Sequence, residues 1–142
     1  MTTPAAVESN AGQATRKLIR EISIFLIFMG LVYGGLGYLA YSAISPDAAP
    51  VYGIPRKLFY GVFLLSFGGI HLLCGILLLS TGKTVFGAIG AIAAALVSVM
   101  AFVLTGFSLF NCLFAIAPVL IGQRLALIAK NRTDDAAVPP YP

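Results

Sequence analysis

The sequence predicts an all-α integral membrane protein, an antiparallel four-helix transmembrane bundle. Three observations carry that expectation. Of the 142 residues, 59% are hydrophobic and only 10% are charged, and the mean hydropathy is +0.96; a soluble domain keeps roughly a quarter of its residues charged to wet its surface. Charge-free runs extend from Ile22 to Ile44 and from Leu58 to Ser80. Each matches the ~20 residues a helix needs to cross a hydrocarbon core about 30 Å thick. A third run, Val85 to Gly122, would make a helix of roughly 57 Å at ~1.5 Å per residue, about twice the core, so it must fold back on itself.

The expected elements follow in chain order. Residues 1–21 are small and polar and read as a mostly disordered cytoplasmic segment, with Thr15 to Glu21 as a possible extension of the first helix. A signal peptide is the rival reading, but its apolar core should be about 7 to 15 residues long, and the uninterrupted run here favours an uncleaved helix. The transmembrane domain spans 22–130, with helices at about 22–44, 58–80, 85–105 and 108–128. An outer loop from Ser45 to Lys57 contains Pro46, Pro50 and Pro55. Thr105 and Gly106 mark the hairpin that divides the long run. The fourth helix is interrupted by Gln123 and Arg124, and Pro118 removes a backbone donor near its middle, which in a membrane helix marks a kink. Arg124 is expected to snorkel to the headgroups. The stretch 131–142 reads as a disordered cytoplasmic tail.

Lysine and arginine near helix ends are retained on the cytoplasmic side. With both termini inside, that side holds Arg16, Lys17, Arg20, Lys83, Arg124, Lys130 and Arg132, against Arg56 and Lys57 outside. Tyr38, Tyr41, Tyr52 and Tyr60 gather about the outer loop, as an interfacial aromatic belt does. The expected location is therefore the cell membrane, multi-pass, with both termini cytoplasmic. The net charge of +4 reads as orientation and headgroup contact, because the basic residues form no stripe with interleaved aromatics of the kind that binds nucleic acid.

Few residues can carry chemistry. Gly61, Gly68 and Gly75 recur every seventh position of the second helix. Gly30 and Gly34 form a GxxxG in the first, with Gly37 one turn on, and Gly87, Gly90, Ala91, Ala94 and Ala95 give small-xxx-small pairs in the third. Such residues let helix backbones approach in lipid, so Gly30, Gly34, Gly61, Gly68, Gly75, Gly87 and Ala91 are the expected packing positions. His71 is the only histidine and lies near mid-depth beside the glycine seam. An ionisable residue there is a candidate haem ligand, quinone contact or proton relay. The competing reading is a neutral imidazole hydrogen-bonded to a carbonyl or hydroxyl of a neighbouring helix. Ser66, Ser98 and Asn111 fall at similar depth on three helices, within roughly 6 to 12 Å of the outer face at 1.5 Å per residue, and form an expected polar layer.

Cys74 and Cys112 are placed about 18 Å apart in depth by the same count, too far for a disulfide. His71 and Cys74 share a helix face, but a metal site needs three or four ligands, so no metal and no cofactor is expected. Gly82-Lys83-Thr84 has the end of a phosphate loop without its first glycine, whose position holds Leu77. Asn131-Arg132-Thr133 matches a glycosylation acceptor but falls on the cytoplasmic side. No Asp or Glu lies inside a span, which argues against a proton-coupled transporter.

In size and topology the chain resembles small multidrug transporters, whose membrane glutamate has no counterpart here. Thr105-Gly106-Phe107-Ser108-Leu109-Phe110 is similar to the serine- and phenylalanine-rich third helix of fluoride channels, whose other motifs are missing. Gly69-Ile70-His71-Leu72-Leu73-Cys74-Gly75, taken through the alanine-rich third helix, resembles small bacterial four-helix proteins of no assigned activity. These resemblances imply a four-helix fold, and no functional residue is carried over from them.

The functional expectation is a non-enzymatic membrane protein acting by helix–helix association, as an accessory subunit or a homo-oligomer. Its expected partners are the lipid bilayer and other membrane subunits or copies of itself, with no nucleic acid. The alternatives are a haem- or quinone-contacting subunit through His71, or a small transporter or channel with a path lined by Ser98 and Asn111.

Overall fold

The chain is all-helical. The computed structural model describes residues 4–105 and 109–136, with side chains described over 12–103 and 115–133. Four helices follow one another: α1 (Pro4–Ala43), α2 (Arg56–Thr81), α3 (Thr84–Thr105) and α4 (Leu109–Ala136). Stretches of α1, α2 and α3 are long and apolar enough to cross a membrane. Over its described residues α4 is not among them.

Two boundaries correct the expectation from sequence. α1 begins at Pro4, so the lead expected to be disordered is helical from that residue. Proline suits a first helical turn, and alanine, glutamate and glutamine in this stretch are good helix formers. Elongating an existing helix also avoids the nucleation cost that a separate short helix would bear. Leu18 and Ile19 pack on the core formed by Ile22, Leu26, Cys74, Leu78, Ile121 and Ile128, so tertiary contact holds the helix beyond the apolar run. At the other end, α4 continues through Pro118 and Arg124 to Ala136, and residues 131–136 of the expected tail are helical. The Gly106 hairpin position lies outside the described residues.

Turn chemistry fixes the connections. Gly82 ends α2 in the left-handed region (φ 66°), and its N–H donates to the Leu78 carbonyl at 2.9 Å. That is the conformation glycine adopts most readily, and it leaves only Gly82 and Lys83 between α2 and α3. In the loop before α2, Val51 and Ile54 exchange two backbone hydrogen bonds, 2.9 and 3.0 Å long. They enclose Tyr52 (φ 51°) and Gly53 (φ 75°), the sign pattern of a type I′ turn. Tyr52 is an unusual occupant of that region.

α1 and α2 make the most extensive interface. Gly75 sits against Ser23 and Ile27, Gly68 against Gly34 and Gly30, and Gly61 against Tyr41, so this pair runs in opposite directions. α1 also meets α3 and α4, and α3 meets α4, whereas the α2 and α4 backbones make no close approach among the described residues.

Candidate functional site

His71 lies on α2 between two of the glycines that bring α1 close, and it is fully buried. Its Nδ1 is 2.7 Å from the Phe67 carbonyl oxygen, one turn back. A carbonyl only accepts, so Nδ1 carries the proton in this contact and Nε2 presents a lone pair. Nε2 is buried and has no hydrogen-bond partner among the described residues. The expected bond to a neighbouring helix is therefore replaced by one within α2. A carbonyl of the preceding turn is already within reach of the ring and costs no interhelical alignment.

Tyr33, also fully buried, reaches His71 from α1. Their ring centroids are 5.1 Å apart in an edge-to-face arrangement at 69°, the geometry aromatic quadrupoles favour. Below them Cys74 is buried as a free thiol. Above them a ladder repeats at every fourth residue: Phe59 stacks parallel to Phe63 at 6.3 Å, and Phe63 meets Phe67 at 4.6 Å. The next member of that series is His71 itself. The ladder follows from i, i+4 neighbours sharing a helix face, and its spacing, which the sequence reading passed over, was legible in the sequence. Tyr33 was not, because finding it requires the register between α1 and α2.

The expected packing positions divide by what they meet. An added Cβ would come within 2.6 to 2.8 Å of neighbouring atoms at Gly30, Gly61, Gly68 and Gly75, whereas at Gly34 it would meet nothing within 4 Å. Gly34 contributes instead through its backbone, which receives Gly68. Gly87 packs against Leu125, and Gly90, against Leu26, belongs to the same set. Ala91 is half-buried and packs on the core.

Two members of the expected polar layer have described side chains. Ser66 is on an exposed face of α2. Ser98 is buried and donates to the Ala94 carbonyl of its own helix at 2.8 Å, and the side chain of Asn111 lies outside the described residues, as does that of Cys112. Ser23, which the sequence reading passed over, is buried in the same manner on α1, with its hydroxyl 2.8 Å from the Ile19 carbonyl.

One charged pair stands apart from the histidine. Arg124 of α4 forms an ion pair with Glu21 of α1, both partly exposed, at the rim of a cleft of about 170 Å³ lined by Ile22, Phe25, Leu120 and Ile121. Among the described residues no group of three or more His, Cys, Asp or Glu is placed to hold a metal ion. Chemically, the site offers one lone pair in an aromatic, apolar setting. It can accept a hydrogen bond or bind an electrophilic metal centre, but it holds no paired nucleophile and base.

Comparison with protein-family models, with curated proteins and with solved structures finds no match. The functional reading therefore rests on these residues.

Proposed function

We propose that this chain is a multi-pass integral membrane protein whose four helices cross the cell membrane as an antiparallel bundle, with both termini cytoplasmic. It acts without catalysis, by helix–helix association as an accessory subunit or a homo-oligomer. The observation that carries this reading is the outward surface. Ile24, Phe28 and Leu31 on α1, Leu65, Leu73 and Ile76 on α2, and Ile92, Leu96, Val99 and Val103 on α3 are all between 41% and 63% exposed. Such continuous apolar faces suit lipid or other helices and not water. Orientation follows from the seven basic residues assigned to one side against two on the other,.

The glycines of α3 turn inward, so the open glycine positions left for partners include Gly35, Gly69 and Gly122, where an added Cβ would meet nothing within 4 Å. Extraction in mild detergent followed by mass measurement of the native particle tests the reading. It predicts a particle with more than one copy of the chain or with further subunits. A strict monomer that supports solute flux in liposomes contradicts it.

The buried Nε2 of His71, without a hydrogen-bond partner among the described residues, supports a second reading, a subunit contacting haem or a quinol. In this tautomer Nε2 accepts, so it would ligate iron or receive a quinol hydroxyl. Stoichiometric haem absorption in the purified protein, lost in His71→Ala, is its test.

A further inference from the structure

Two of the grooves open at the end of the molecule where α1, the α2–α3 turn and α4 carry basic residues, and they differ in charge. The cleft between α1 and α4 has Arg124 already neutralised by Glu21. The other, of about 520 Å³, lies between the start of α3 and the last turns of α4, a volume in the range of ligand pockets, ~300 to 1,000 Å³. Val85 and Ala88 form its α3 wall, and Leu125, Ile128 and Ala129 its α4 wall. Thr84 and Arg132 stand at the rim. Arg132 is exposed and has no ion pair among the described residues.

We propose that this groove holds an anionic phospholipid of the cytoplasmic leaflet, with its phosphate at Arg132 and the Thr84 hydroxyl and its glycerol and upper acyl chain along Val85, Ala88 and Leu125. The inference rests on the membrane orientation proposed above, which points Arg132 and Thr84 toward the cytoplasm and Ala88 and Leu125 toward the hydrocarbon. α3 advances from Thr84 to Ala88 while α4 retreats from Arg132 to Leu125, about 6 and 10 Å along their axes. That depth spans a headgroup and the start of a chain. Charge selects the occupant. A basic rim over an apolar groove between helices complements an anionic lipid, whereas a zwitterionic lipid brings the same phosphate together with its own headgroup cation, which offsets the attraction to Arg132.

The test is native mass spectrometry of the detergent-purified full chain after addition of dioleoylphosphatidylglycerol or dioleoylphosphatidylcholine. One phosphatidylglycerol per protomer is expected to survive activation that strips phosphatidylcholine. Arg132→Gln is expected to lower phosphatidylglycerol occupancy about fivefold, the weight of one basic residue against an anionic lipid. Ala88→Phe, which fills the groove at an exposed position without changing charge, is expected to lower it as much. Lys130→Gln, an equal loss of charge outside the groove, is expected to change occupancy less than twofold. Equal retention of both lipids overturns the proposal, as does an effect of Lys130→Gln that matches Arg132→Gln, or full binding by a folded Ala88→Phe. Impermeant thiol labelling of position 83 separates the two levels: labelling from outside the cell defeats the orientation, while protection together with no lipid selectivity defeats the groove assignment alone.

Discussion

α1 meets α2 and α3 through glycines in both cases, yet what each glycine touches is different in kind. At Gly68 an added Cβ would lie 2.6 Å from the Gly34 nitrogen, 2.9 Å from the Gly34 Cα and 3.0 Å from the Gly30 oxygen, all backbone atoms. At Gly90 it would meet only the side-chain end of Leu26, at 2.6 and 2.9 Å. Backbone on the far side cannot move without separating the helices, whereas a leucine end can turn to another rotamer. A small residue in the sequence therefore does not by itself report how rigid its contact is.

The largest effect that would sharpen this contrast is expected at the α1–α2 seam. Gly68→Ala should destabilise the protein by about 3 kcal/mol, the upper part of the usual overpacking range, measured by denaturant titration in mixed micelles. His71→Ala, on the flank of the same seam, removes a fully buried ring and should cost ~2 to 3 kcal/mol through the cavity left against Tyr33. Gly90→Ala should cost about 1 to 2 kcal/mol, since Leu26 can shift but is itself fully buried,. Gly69→Ala, adjacent to Gly68 but facing open space, should be neutral or stabilising by ~0.5 kcal/mol through helix propensity. If Gly68→Ala and Gly69→Ala prove equivalent, the backbone seam is not what holds α1 to α2.

Much of the fold was legible because helix length in an apolar chain is set by charge-free runs. The expected spans 58–80 and 85–105 lie within a few residues of α2 and α3, and the glycine after Thr81 gives the turn between them. The extension of α1 to Pro4 was not legible, since polar residues beyond an apolar run carry no periodic signal and are helical here through continuity and through Leu18 and Ile19. At the candidate site, the seam position of His71 could be read from its spacing to Gly68. Its ring partner could not, because Tyr33 becomes its neighbour only once the α1–α2 register is set. The Glu21–Arg124 pair was hidden for the same reason: the two residues are 103 positions apart, and each alone reads as a solvated charge.

The membrane orientation underlies the association reading and the lipid groove alike, and one measurement tests it most directly. Single cysteines at Ala49 and at Lys83, in a chain whose Cys74 and Cys112 are replaced by alanine, are exposed to an impermeant thiol reagent on intact cells. The account predicts that Ala49→Cys is labelled from outside and that Lys83→Cys is labelled only after permeabilisation. Labelling of Lys83→Cys on intact cells, with Ala49→Cys protected, would contradict it.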